Sequence, residues 1–335
     1  FSVNQPNRNL RSLPARCSLC SSFLIENGKI SRVGNVDPVP ADCEVIDAAG
    51  RVVTPGLVDA HCHIGLWGTA SSSEMDGNEN TSPALRGIDA LKWNDATFDV
   101  AVRHGVTTVV TGPGSSNIIG GTFTAVKTAG KNPDSRVICQ EICMKMALGE
   151  NPKVNYGRRN MAPKTRMMSA AIMREQLFRA KEYYRNYQEH GEDPDFPFDF
   201  HMHSLMRVFD GMRVKIHAHQ ADDIQTAIRI ANEFHLRFSI EHCTDGYLIV
   251  DELVRNHVQC LLGPTVGGKG KIEARNKTFE AGQILENAGI TFGLITDAPF
   301  VPIEGQLLQA ALYVKNGLSR EMALKCLTIN NAIIT

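Results

Sequence analysis

Chemistry is most legible at His61-Cys62-His63, which closes the apolar run Val52 to Val58. Residues two apart on a strand share a face, so both imidazoles can reach one ion, at about 2.0 to 2.1 Å for zinc. Three further apolar runs end in groups of the same kind. Val214 to Gln220 places His219 where a strand gives way to a helix, Ser239 to Cys243 does the same for His242, and Phe292 to Pro299 ends in Asp297. Neutral imidazoles with one carboxylate suit Zn²⁺ or a similar borderline divalent ion. The chemistry within reach of such a set is hydrolysis by a metal-activated water.

Eleven histidines in the chain require each to be weighed. His201-Met202-His203 copies the spelling, but it leads into Leu205 to Phe209, which reads as helix, where residues two apart do not share a face. His217, two before His219, is open to a substrate-side role or to packing in the core. His104, His190, His235 and His257 fall in helices or turns and read as structural. Cys62 and Cys243 alternate with the candidate ligands and are expected to point away from them. Cys17-Ser18-Leu19-Cys20 has no second CxxC or CxxH pair to complete a zinc site.

The elements that must position these groups come in two parts. From residue 22 to 56, short β-runs are broken by turn residues, with Asn27-Gly28 a hairpin signal, and this predicts a small β-subdomain. From residue 57 to 335, strand and helix signals alternate. Strands are expected at Gly56 to Ala60, Val106 to Val110, Val137 to Met146, Arg213 to Ile216, Phe238 to Ile240, Val258 to Leu262 and Ile290 to Ile295. Helices are expected at Ala84 to His104, Lys164 to Gln188 and Ala221 to Phe234. Repeated βα units predict a parallel sheet, and the strand number fits an α/β fold of the (β/α)₈ barrel type. Strand C-terminal ends carry the chemistry in such barrels, which is where the histidines and Asp297 fall.

Composition sets the outer limits. Thirty-five basic against 36 acidic side chains leave a net charge of −1, with no basic field for nucleic acid and no polybasic anchor for a membrane. No apolar run reaches the roughly 18 residues of a membrane helix. Nine cysteines, odd in number and scattered, read as reduced thiols. The expectation is a cytoplasmic protein acting on a small molecule, with a homo-oligomer left open. Residues 1–21 read as a leader: Arg8, Arg11 and Arg16 among serines, with no acid before Glu26, superficially fit a transit peptide, and a fragment end fits equally well.

From about Leu24 onward the chain resembles the amidohydrolase superfamily, in particular its imidazolonepropionase and Xaa-Pro or aspartyl dipeptidase-like branch. The resemblance rests on Val53 to His63, His217-Ala218-His219, Ile240 to Cys243 and Thr296 to Pro299. It implies a distorted TIM barrel in which His61, His63, His219, His242 and Asp297 surround one or two metal ions. It also implies, in binuclear members, a bridging modified Lys or a Glu. Glu150, following an apolar run at a glycine, is the favoured bridge, with Lys145 the alternative. Such relatives complete the small β-domain with strands after the barrel. Here the chain stops at Thr335, so the subdomain reads as an incomplete β-sandwich and the chain as a fragment.

The reaction implied is hydrolysis of an amide-type C–N bond in a dipeptide, an N-acyl amino acid or a cyclic amide. Asp297 would move the proton to the leaving nitrogen, and a histidine, His242 the candidate, would help polarise the carbonyl. Arg158, Arg159 and Arg166 are candidates to clamp a carboxylate. Gly267-Gly268-Lys269-Gly270 is flexible enough for a lid or an anion contact and lacks P-loop spacing. Two alternatives stand beside this reading. One is a silent barrel acting in assembly, against which the full ligand set speaks. The other is a heterocycle deaminase, against which speaks Gln220 in place of an acid after His219.

Overall fold

The computed structural model describes residues 2–4, 22–48, 50–68 and 72–335. The chain divides into two compact units, Phe1–Pro55 and Gly56–Thr335. Of the expected leader only the strand Ser2–Asn4 is described, and the Cys17/Cys20 pair lies outside the described residues.

In the first unit, Ser2–Asn4 (β1) pairs antiparallel with Ser22–Glu26 (β2), which is joined to Lys29–Gly34 (β3) by the Asn27-Gly28 turn. Both turn residues take positive φ, 52° and 74°, as the Asn-Gly hairpin signal requires. Val45–Asp47 (β4) runs parallel to β1, giving the order β3-β2-β1-β4. Ile30, Val33, Val45 and Ile46 stand exposed.

The second unit holds one eight-stranded sheet with its strands in chain order: Leu57–Cys62 (β5), Val106–Thr111 (β6), Ile119–Lys127 (β7), Val137–Ala147 (β8), Arg213–Ala218 (β9), Phe238–His242 (β10), Gln259–Leu262 (β11) and Phe292–Leu294 (β12). β12 comes back beside β5, so the sheet is a nearly closed barrel. No ladder joins these two strands, and side chains close the seam. Asn331 donates its Nδ2 to the carbonyls of Val58 at 2.6 Å and Leu294 at 2.9 Å. Thr296 donates through both its amide and its hydroxyl to the Asp59 carboxylate, and Asp297 donates its amide to His61 O at 3.2 Å. Glycine is required at position 293, where a Cβ would lie 1.8 Å from Asn331 Oδ1.

One strand departs from the expected repeat. β7 runs antiparallel to both β6 and β8, so it opposes the other seven strands. No strand was expected between Val110 and Val137, and the Gly120-Gly121 pair lies near the start of β7. In the structure it is an irregularity in the ladder between Ile119 and Gly121. Gly121 takes φ +99°, and a Cβ there would meet the Leu85 carbonyl oxygen at 2.2 Å.

The helical expectation over Ala84 to His104 is also corrected. It splits into Gly87–Ala90 and Ala96–Arg103, because Asp95 caps the second helix by accepting from Thr97 N at 2.8 Å. The long helix Arg166–His190, capped by Thr165, and the helix Ala221–Glu233 form as expected. Val214, Ile216 and Ala218 of β9 share one core cluster with Leu177, Ile224, Ala227 and Ile228 of these helices. Alternation along the strand then turns Lys215 and His217 to the other face, the barrel interior. Among the described residues no helix is long and apolar enough to cross a membrane.

Candidate metal centre

Five histidines meet where β5, β9 and β10 end. His217, His219 and His242 offer ligand atoms within 4.8 Å of one another, and so do His61, His242 and Asp297, which makes His242 common to both groups. Ring centroids lie 4.5 Å apart for His217 and His242, 4.6 Å for His219 and His242, and 5.2 Å for His61 and His242. His242 and Asp297 take φ of +71° and +53°. This is a sparsely populated region for residues other than glycine, and such strain concentrates at functional sites.

The outer nitrogens of the rings are already committed. His61 Nδ1 donates to Glu241 Oε2 at 2.6 Å, His63 Nδ1 to Gly112 O at 2.8 Å and His242 Nδ1 to Gly263 O at 2.8 Å. His219 Nδ1 is paired with Thr244 Oγ1 at 2.7 Å. With their protons spent on oxygen acceptors, His61, His63 and His242 turn Nε2 lone pairs inward. There they face another acceptor: Asp297 Oδ1 lies 3.1 Å from His63 Nε2 and 3.5 Å from His61 Nε2. His242 Nε2 is buried with no hydrogen-bond partner. Lone pairs that face a carboxylate in a water-poor space fit a divalent cation, and the donor types are those of Zn²⁺.

Burial acts on these groups in the same direction. It holds His61, His217, His219 and His242 well below the usual imidazole range, and the neighbouring cations and imidazoles add to the effect. The rings are therefore neutral, the form that binds metal. Burial also raises Asp59 at the seam to about 6. Beneath the rings, the fully buried Lys215 and Glu241 pair at 3.1 Å, and Ser239 donates to the same carboxylate at 2.7 Å.

Lys145 changes the sequence-based picture. The expected bridge was Glu150, but Glu150 opens the helix Glu150–Arg158 at the edge of the site and belongs to neither ligand group. β8 continues to Ala147, which carries Lys145 inside the barrel, fully buried, with Nζ 3.3 Å from His61 Nε2 and over the Phe123 ring. Burial lowers Lys145 to about 8. His217, left open between two roles, stands in the same group as His219 and His242. His201 and His203 lie on the helix Phe200–Met206, where His203 packs against Tyr183, Tyr187 and Phe198.

Sequence reasoning missed Glu273. It comes from the loop after β11, is buried, and accepts from Glu150 N at 2.8 Å through Oε2. Its Oε1 has no hydrogen bond and lies 3.6 Å from His217 Nε2 and 3.8 Å from His219 Nε2. Glu241 was quoted only as part of a motif; it stands beside His217 in the β9–β10 register and faces the barrel interior with Ser239, opposite Ile240, which packs in the core cluster shared with the helices, while His242 departs from the alternation at φ +71°.

A cavity of about 700 Å³ opens above the rings, a size suited to a small ligand. His63, His217, His219 and Asp297 form part of its wall, with Trp67, Phe300, Glu150, Arg158, Lys271 and Lys277. Of the three arginines expected to clamp a carboxylate, only Arg158 lines this space. Arg159 donates to Gly77 O, and Arg166 is paired with Asp222 and Asp223.

No protein-family model matches the chain. The amidohydrolase tasK of Hapsidospora irregularis is 29% identical over 91% of this chain, which spans 34% of that protein's length. An imidazolonepropionase of Vibrio cholerae is 37% identical over 106 residues, 26% of each chain. The crystal structure of an amidohydrolase from Thermotoga maritima superposes with a TM-score of 0.89 at 33% identity, covering 93% of this chain and 83% of that one. With that extent of shared fold and sequence, and with the imidazoles and Asp297 gathered at the strand ends, the chain belongs to the amidohydrolase superfamily.

Proposed function

We propose that the chain hydrolyses an amide-type C–N bond, with one or two divalent ions of the zinc type held by His61, His63, His217, His219, His242 and Asp297. The observation that carries this reading is the set of inward Nε2 lone pairs facing the Asp297 carboxylate, with His242 Nε2 left without any partner. Relatives named amidohydrolase and imidazolonepropionase support it. A divalent ion in such a nest supplies a water acidified towards neutral pH and polarisation of the substrate carbonyl.

The chain's own groups do the rest. Asp297 stands at the mouth of the ligand group, 3.1 Å from His63, and its carboxylate accepts the water proton and returns it to the leaving nitrogen. Glu241 and the carbonyls of Gly112 and Gly263 fix the ring orientations, so little reorganisation is needed during the reaction. Lys145, at 3.3 Å from His61, would take the bridging role first expected of Glu150 once its amine is modified. Gln220, which stands where a deaminase would need an acid, is engaged by Arg166 outside the ligand group.

The test is metal content measured together with turnover of dipeptides, N-acyl amino acids and cyclic amides, before and after dipicolinate treatment. At least one ion per chain is expected, with turnover falling about a hundredfold or more on chelation and returning with Zn²⁺. Metal-independent turnover, or none across the panel, would overturn the proposal and favour a silent barrel.

A further inference from the structure

The cavity has an electrostatic asymmetry that the metal site does not use. Its wall formed by the loop after β11 carries Lys271 and Lys277. Lys271 donates to Asn151 Oδ1 at 2.6 Å and lies 4.0 Å from Glu273 Oε1. Lys277 is half-buried, and its ammonium makes no hydrogen bond or ion pair with any described residue. Taking a cation out of water without a partner is costly, so it is retained where something else supplies the negative charge. Burial lowers Lys277, which lines the same cavity as Asp297 and Lys271. The acids on the cavity wall, Glu74, Glu150 and Asp297, lie beyond ion-pair distance of it. Beside Lys271, at 5.9 Å from its Nζ, is the Phe300 ring, which meets Trp67 edge-on at 4.9 Å. Trp67 in turn lies 6.4 Å from His63.

We infer that Lys277, with Lys271 beside it, receives a carboxylate on the amine side of the scissile bond, while the Trp67/Phe300 pair takes an apolar side chain. The substrate is thus an N-acylated amino acid or a dipeptide with a free carboxylate, not a neutral cyclic amide. Placement on the amine side follows from Lys277 lining the same cavity as Asp297, the residue assigned to the leaving nitrogen. This inference rests on the hydrolase reading and narrows it.

Two measurements separate the failure of one from the failure of the other. The first is kcat/KM for N-acetyl-L-phenylalanine and glycyl-L-phenylalanine against their carboxamides. The second is calorimetric binding of L-phenylalanine against L-phenylalaninamide, which needs no turnover. A charge-assisted hydrogen bond predicts that the wild type prefers the carboxylate about tenfold or more in both. The ratio should collapse towards one in Lys277→Met and return in Lys277→Arg. Equal handling of the two members of each pair by the wild type, or a preference kept in Lys277→Met, overturns the inference. No turnover with a preserved binding preference that Lys277→Met abolishes supports the anion site and removes the hydrolase reading.

Discussion

The strands and the loops around this cavity contribute chemistry of different kinds. Groups borne by strands, His61, Lys145, Lys215 and Glu241, are fully buried, and each is held by another strand-borne group: His61 by Glu241 and Lys145, Glu241 by Lys215. Groups borne by loops and helix ends, Glu150, Arg158, Lys271 and Lys277, are partly or fully exposed, and three of them have no ion-pair partner among the described residues. Burial makes the first set interdependent, because a charge inside the barrel is tolerated only with its partner present. Solvent screening makes the second set independent and free to answer to a ligand. The ligand nest therefore belongs to the barrel, and substrate choice to the loops.

If this division is right, the largest effect follows from Glu241→Gln. The substitution leaves the shape almost unchanged but removes the counter-charge of Lys215 at 3.1 Å and replaces the charged acceptor that orients His61 with a neutral amide. Breaking a buried pair of this kind costs about 3–5 kcal/mol, and loss of an orienting partner lowers metal affinity roughly 10–100-fold. The urea midpoint and a competitive zinc chelator read the two effects separately. A stability change below about 1 kcal/mol would show that the barrel interior is not interdependent.

The same division explains what was legible in the sequence. His61 and His63 stand out because a strand has a period of two and any pair at that spacing shares a face. His219, His242 and Asp297 stand out because each closes an apolar run. Lys145 stands only as the alternative because it lies within the expected strand rather than after it, and only the folded chain shows that it faces His61 while Glu150, behind its glycine, begins a helix. β7 is hidden because the close approach of Leu85 that demands glycine near its start is a tertiary fact. Glu273 and Lys277 are hidden for a related reason. A loop residue has no periodicity, so only the folded chain shows that one is buried against imidazoles and the other faces a cavity.

Glu273 tests the boundary between the two sets, since it comes from a loop but is as buried as a strand residue. In Glu273→Ala the Glu150 amide loses its acceptor, and the loop carrying Lys271 and Lys277 loses its anchor to the helix start at Glu150. An unfolding cost of about 1–3 kcal/mol is expected, the usual penalty for an orphaned buried donor, read from the urea midpoint. Metal stoichiometry should be retained, because neither ligand group contains Glu273. Loss of an ion in this variant would move Glu273 into the nest and blur the distinction between loop and strand groups.

The smallest effect is expected at Glu150, which sequence placed inside the metal site and the structure places at its edge. Its side chain is partly exposed and makes no ion pair among the described residues; only its amide is engaged, with Glu273. Glu150→Gln keeps that amide, so stability should stay within about 0.5 kcal/mol of wild type, as for an ordinary surface change. Metal per chain should be unchanged. Lys145→Ala provides the contrast, since it removes a fully buried group 3.3 Å from His61 and should lower zinc retention under dialysis. If Glu150→Gln loses metal and Lys145→Ala does not, the bridge is on the helix start, and the barrel interior does not complete the nest by itself.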